Sequence, residues 1–152
     1  MFAHILIPID LAHVGQLKPS IEMANNIINV NGKISLIYVD QSSMHANTYP
    51  VLYDDVQTKQ GEAAYYRLKS LLTQYAPESR QGECHVRFGY VYEEILDVLD
   101  QYDMDAVIMC TNKKKGNFFG SNIEKVVKNA QCTVVSLRKT PPLITNKITR
   151  IR

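Results

Sequence analysis

The chain has 152 residues, of which 45% are hydrophobic and 21% charged, so it suits one compact water-exposed domain and neither a disordered nor a membrane-embedded class. No apolar run approaches the ~20 residues needed to cross a bilayer, and the first residues lack the features of a secretory signal. The three cysteines are odd in number and widely spaced, which favours a reducing compartment over a disulfide framework. We therefore expect a cytoplasmic protein without a membrane partner.

The formal charge of +2 is unevenly distributed along the chain. Four basic residues and no acidic ones lie in residues 139–152, so the preceding residues carry a formal charge of −2. A slightly acidic body does not indicate a nucleic-acid-binding surface. We predict one α/β domain over residues 1–138 and a basic tail, extended or disordered, over residues 139–152.

The first third of the sequence predicts a β-α-β unit. Residues 4–10 and 33–40 are short apolar runs, each ending at an acidic residue, as in buried parallel strands. Between them, a helix is predicted from about Pro19 until Asn31 and Gly32, because apolar residues recur at helical spacing. Residues 41–55 show no helical period and predict a long loop, whose Met44, His45, Tyr49 and Tyr53 either line a pocket or pack on the domain edge.

Three further helix and strand pairs are predicted after this loop. A long amphipathic helix ends before Pro77, residues 83–88 form a strand that Gly89 breaks, and a helix with apolar positions from Val91 to Tyr102 follows. Residues 105–110 and 132–137 are the last two buried strands. The helix between them begins at Gly120 and Ser121, and its predicted inner face consists of Ile123, Val126, Val127 and Ala130.

The order β-α-β-α-β-α-β-α-β predicts an α/β fold with an open five-stranded parallel sheet and helices on both faces, of Rossmann-like type. A ligand of such a sheet binds beyond the carboxyl ends of the strands, where the strand order reverses. The strands that end at Asp10, at Val39 and at Met109 and Cys110 all place residues at that edge.

Three features at this edge have a functional and a structural interpretation. Residues 120–122 begin a helix, where backbone N–H groups can bind phosphate, but Ser121 and Glu124 also match a capping box. The loop with Asn112 and Lys113 carries three consecutive lysines, which either contact phosphate or are simply solvated. Asp10 either accepts hydrogen bonds from an adenine amino group or a ribose hydroxyl, or caps the next loop.

Four blocks of the sequence together resemble the universal stress protein family. They are residues 5–10 (ILIPID), 89–95 (GYVYEEI), 105–109 (DAVIM) and 120–138, and they occur in order between Phe2 and Arg138. The Gly-Ser-Asn form at Gly120 is similar to the small F- and G-type members. The resemblance implies an adenine nucleotide alpha hydrolase-like fold and a homodimer formed through the last strand, from Cys132 to Leu137.

The resemblance also implies a site for ATP or another adenine nucleotide, with or without Mg²⁺. The implied contacts are Pro8, Asp10 and Val39 to the base, Met109 and Cys110 to the ribose, and Asn112, Lys113, Gly120, Ser121 and Asn122 to the phosphates. ATP-binding members usually carry Gly-x2-Gly-x9-Gly-Ser/Thr here, whereas this chain has Cys110-x2-Lys113-x6-Gly120-Ser121. Two glycines are therefore replaced, and the loop is three residues shorter.

These observations predict a stress-response protein that binds a nucleotide as a signal and has no strong catalytic activity. The replaced glycines leave open a nucleotide-free dimeric interaction module, and a slow ATPase is a weaker alternative. Unidentified protein partners fit either interpretation. The sequence has no Walker loop, nucleophile elbow or cluster of metal ligands, and its four histidines are dispersed, so no catalytic residue is predicted. Flavodoxin-like electron transfer is not favoured, because the loop after the first strand lacks a Ser/Thr-rich phosphate cradle.

Overall fold

Five parallel strands form the centre of the molecule. The computed structural model describes residues 1–42, 50–111 and 120–138. Its strands are β1 (Phe2–Pro8), β2 (Ile28–Asp40), β3 (Gln81–Phe88), β4 (Ala106–Thr111) and β5 (Thr133–Arg138). They are hydrogen-bonded in the order β3-β2-β1-β4-β5, and every pairing is parallel. The predicted five-stranded parallel α/β fold is therefore confirmed.

In the described ranges, four α-helices cover the two faces of the sheet. They are α1 (Leu17–Ile27), α2 (Pro50–Tyr75), α3 (Val91–Gln101) and α4 (Gly120–Asn129). Within the described ranges, none of them combines the length and the apolar character that a bilayer crossing requires.

Alternation along β1 directs its side chains to two separate cores. Ile5 and Ile7 pack with α1 and α2, where Leu17, Ile21 and Leu68 are almost completely buried. Leu6 packs on the opposite face, against apolar residues of α3 and α4: Val91, Ile95, Val98, Leu99, Ile123 and Val126. Each core closes one face of the sheet, which holds the carboxyl ends of the strands in a fixed arrangement.

Some of the expected local features are wrong. The loop predicted over residues 41–55 ends earlier, because α2 already begins at Pro50. The prediction of this helix relied on apolar positions at helical spacing, and the first of these positions was Ala64. Val127 does not belong to the inner face of α4: it is 55% exposed, because the helix turns about 100° per residue beyond the fully buried Val126.

Glycines allow two close approaches in the sheet. At Gly89, which follows β3, φ is +149°, a conformation that side-chain-bearing residues rarely adopt. A Cβ there would also lie 2.8 Å from Oε1 of Glu94. At Gly32 in β2, a Cβ would collide with the side chain of Ile28. The helix predicted to continue until Asn31 and Gly32 ends at Ile27, and β2 begins at Ile28, earlier than the predicted residue 33. The register of β2 against β1 is irregular near this start.

Candidate functional site

The strand order reverses between β1 and β4. The chain leaves β1 through α1 toward β2 on one side, and leaves β4 toward α4 and β5 on the other side. The connections diverge at this point, so the carboxyl ends of β1 and β4 border a crevice, which is the usual ligand position in open α/β sheets. Pro8, Asp10 and Cys110 lie at this crevice.

A small hollow lies at the bottom of this crevice. Its lining includes Pro8, Asp10 and Cys110 from the strand ends, and His13, Gln16 and Ser20 from the segment that leads into α1. The space within it is about 10 Å³, which is room for about one water molecule. A purine ring is far larger, so a nucleotide at this edge has to lie across the mouth of the hollow.

Asp10 holds the loop after β1 in place. Its Oδ1 accepts a hydrogen bond from the N–H of Ala12 at 2.9 Å, and its Oδ2 lies 2.9 Å from Nδ1 of His13. The N–H of His13 in turn donates to the main-chain oxygen of Asp10 at 2.9 Å. The capping interpretation of Asp10 is therefore observed. A carboxylate has about four lone-pair positions, so this role leaves room for further donors.

His13 is a polar residue of the crevice that was not among the site residues predicted from the sequence. The four histidines are dispersed along the chain, so no spacing between them indicated a site. One pattern could have indicated His13: it lies three residues after Asp10, the acidic residue at the end of the first strand. At this spacing, a loop can fold the imidazole back onto the carboxylate. The side chain of His13 is 69% exposed, whereas that of Asp10 is only 16% exposed.

Two of the residues with an implied ligand contact point into the core. The side chain of Val39 is 5% exposed and that of Met109 is 1% exposed, and both pack in the core against α3 and α4. Only their main-chain atoms can meet a ligand at the crevice. Pro8 and Cys110 are also buried, but both contribute to the lining of the hollow. The crevice thus brings together Pro8, Asp10 and Cys110.

The phosphate side of the implied site is only partly described. Asn112 and Lys113 lie outside the described residues. Since α4 begins at Gly120, Ser121 belongs to its first turn and does not precede the helix. Among the described residues, the predicted capping box of Ser121 and Glu124 is not observed, and Oε1 of Glu124 lies 3.1 Å from Nζ of Lys128. The first amides of a helix have no acceptor within it, so this turn can receive an anion.

A second group of polar side chains lies outside the crevice, on β1, β2 and β3. Oγ of the buried Ser35 lies 2.9 Å from Nε2 of His4 and accepts a hydrogen bond from the N–H of Glu83 at 2.9 Å. His85 is 7% exposed, and its ring packs on Tyr102 with 4.5 Å between the ring centroids. Burial lowers the pKa of both histidines.

The thiols of Cys84 and Cys132 are not activated for thiolate chemistry, and the described residues hold no cluster of metal ligands. Burial raises the pKa of the Cys84 thiol to about 11 and also raises the pKa of Cys132, so both thiols are protonated at neutral pH. Among the residues that the structure describes, no three His, Cys, Asp or Glu side chains converge as metal ligands would.

Comparison with known proteins supports the family resemblance. The family model described as "Universal stress protein family" matches residues 1–138. Universal stress protein G of Salmonella typhimurium is 22% identical over 142 residues, which are 91% of this chain and 100% of that protein. The chain therefore belongs to the universal stress protein family.

Solved structures show the same fold at low sequence identity. The hypothetical protein MJ0577 superimposes with a TM-score of 0.73 at 16% identity, covering 93% of this chain and 99% of that one. A universal stress protein family protein from Arabidopsis thaliana, solved with AMP bound, has a TM-score of 0.59 at 14% identity, covering 91% and 92% of the two chains.

Proposed function

We propose that this protein is a homodimeric stress-response protein that binds ATP or a related adenine nucleotide in the crevice between β1 and β4, without strong catalytic activity. The reversal of strand order beside Asp10 is the observation that carries the proposal. Family membership and the AMP bound to the Arabidopsis thaliana relative support it.

The crevice offers a different kind of contact to each part of a nucleotide. The base would lie near Pro8, Asp10 and the main chain of Val39, across the mouth of the hollow. The ribose would lie near the main chain of Met109 and Cys110. The phosphates would meet the first turn of α4, where the helix dipole favours negative charge, together with Asn112 and Lys113. The lysines of that loop would replace amide contacts that the missing glycines provide in ATP-binding relatives.

Calorimetry and thermal unfolding with AMP and with ATP, each with and without Mg²⁺, test this proposal. A ligand present at 100 times its dissociation constant should stabilise the protein by about 2.7 kcal/mol and raise its melting temperature. The exposed Ser121 lies in the first turn of α4, so Ser121→Tyr should obstruct the phosphates and weaken binding. Ser70→Tyr, on the exposed side of α2, is the matched control and should bind like the wild type.

The absence of both heat and thermal shift at millimolar AMP and ATP would contradict nucleotide binding. Wild-type affinity in Ser121→Tyr would contradict the placement of the phosphates. The small hollow favours a second candidate, a dimeric interaction module without a nucleotide. A mass spectrum of any ligand released from gently purified protein distinguishes the two, because a recovered adenine nucleotide excludes the second.

The homodimer would form through β5, which we propose as the pairing edge. This strand is the outermost of the sheet on the side of β4, and a backbone edge of this kind can pair with another chain. The exposed Ser136 lies on β5, and a lysine on an edge strand opposes such pairing. Light scattering should show a dimer for the wild type and for Ser70→Lys but a monomer for Ser136→Lys. A dimer in Ser136→Lys would place the interface elsewhere.

A further inference from the structure

The pairing of His13 with Asp10 gives the crevice an oriented hydrogen-bonding group. Nδ1 of His13 lies 2.9 Å from Oδ2 of Asp10, and both residues contribute to the lining of the hollow. The N–H of Ala12 occupies the other carboxylate oxygen at 2.9 Å, so the carboxylate cannot rotate freely. The hydrogen bond from the N–H of His13 to the main-chain oxygen of Asp10 fixes the loop as well. The imidazole is therefore held at one nitrogen, and the other nitrogen remains for a ligand.

The chemistry of the pair determines what that other nitrogen can do. An ionised carboxylate accepts hydrogen bonds and donates none, so the hydrogen between the two groups belongs to Nδ1 of His13. A neutral imidazole with its hydrogen on Nδ1 carries a lone pair on Nε2. His13 thus presents a hydrogen-bond acceptor, and its 69% exposed side chain makes that acceptor accessible from the crevice.

An acceptor at this position distinguishes purines by the group at C6, which is an amino donor in adenine and a carbonyl acceptor in hypoxanthine. We propose that Nε2 of His13 accepts a hydrogen bond from the 6-amino group and makes the crevice select adenine over 6-oxopurine nucleotides. This inference rests on the proposed nucleotide binding. In a 6-oxopurine, the 6-carbonyl oxygen would face Nε2 of His13, and both acceptors would lack a hydrogen-bond donor. The free-energy cost of two unpaired acceptors is larger than the free energy that the hydrogen bond to adenine contributes.

The test compares AMP with IMP, two nucleotides that share ribose and phosphate and differ at C6. Calorimetric titration of the wild type should show AMP binding about tenfold more tightly than IMP. His13→Phe keeps a planar ring of similar size without the acceptor, so the ratio of the two affinities should fall to about one. Tyr66→Phe, on the exposed surface of α2, is the control and should keep the wild-type ratio.

An unchanged ratio in His13→Phe, or no wild-type preference for AMP over IMP, overturns the role of His13 and leaves nucleotide binding intact. Failure of both AMP and IMP to bind overturns this inference together with the proposed function.

Discussion

Replacing Val126 by alanine is expected to lower the free energy of unfolding by about 2 kcal/mol. Val126 is completely buried, in the core that α3 and α4 form against the sheet. Removing its two methyl groups loses their transfer free energy and leaves a cavity, a cost of about 1.5–3 kcal/mol. The higher helix propensity of alanine returns about 0.5 kcal/mol. Urea unfolding should show a lower midpoint with an unchanged slope.

Val127→Ala is the matched control, because the same substitution is made one residue later in the same helix. Val127 is 55% exposed, so little buried surface is lost and the gain in helix propensity should predominate. We expect the free energy of unfolding to stay the same or rise by up to about 0.5 kcal/mol. Equal destabilisation by the two substitutions would show that both valines are buried, as the sequence pattern had predicted, and would contradict the orientation of α4.

Acidification is expected to destabilise the protein through His85. Burial is the main cause that lowers the pKa of this histidine in the folded protein, Glu83 acts in the opposite direction, and Arg87 and His4 lower it further. The unfolded chain therefore binds a proton at a higher pH than the folded protein does. The free energy of unfolding has its full value above about pH 6.5 and falls as the pH drops from there toward the lower pKa of the folded protein.

The environment of His85 explains why the protonated form is disfavoured. Its ring packs on Tyr102, and among the described residues its buried Nε2 has no hydrogen-bond partner. The nearest carboxylate oxygen, Oε2 of Glu83, is 3.7 Å away and belongs to a side chain that is 63% exposed. This contact is too long for a hydrogen bond and too exposed to compensate for a buried charge.

The measurement is a series of urea unfolding curves from about pH 8 to about pH 5. One histidine contributes a slope of at most about 1.4 kcal/mol per pH unit. His85→Phe should remove that part of the slope, and His4, whose pKa is also lowered by burial, should account for a remainder. The free energies of unfolding of the wild type and His85→Phe are first compared at about pH 8. Any difference there comes from packing and is subtracted at the lower pH values. Parallel stability curves of the wild type and His85→Phe would exclude His85 as the cause.

The sequence was sufficient to predict the fold because its strands carry strong local signals. Runs such as residues 4–10 and 105–110 are apolar and bounded by polar residues, and the alternation with amphipathic helices fixes a parallel sheet. Element ends were less predictable. The start of α2 at Pro50 was missed because the apolar positions that indicated this helix began at Ala64. The exposure of Val127 depends on which side of α4 meets the sheet, and this is a property of tertiary packing.

The site was predictable to the level of the sheet edge. Strand ends placed Asp10 and Cys110 there, the family resemblance added Pro8, and all three residues line one hollow. The pairing of Asp10 with His13 could not be predicted from the sequence, because it depends on how the loop after β1 folds back. The sequence also did not predict that the side chains of Val39 and Met109 are buried. The pattern of a strand does not show which atoms of its last residues face a ligand.

The parallel direction of the strands has a practical consequence for purification tags. Since β5 ends at Arg138 beside Thr111 of β4, the chain leaves the last strand at the same edge as the crevice. The amino terminus precedes β1 and starts at the opposite edge. An oligohistidine tag before Met1 would add its imidazoles at the edge away from the crevice, so this is the appropriate position for titrations with AMP and IMP.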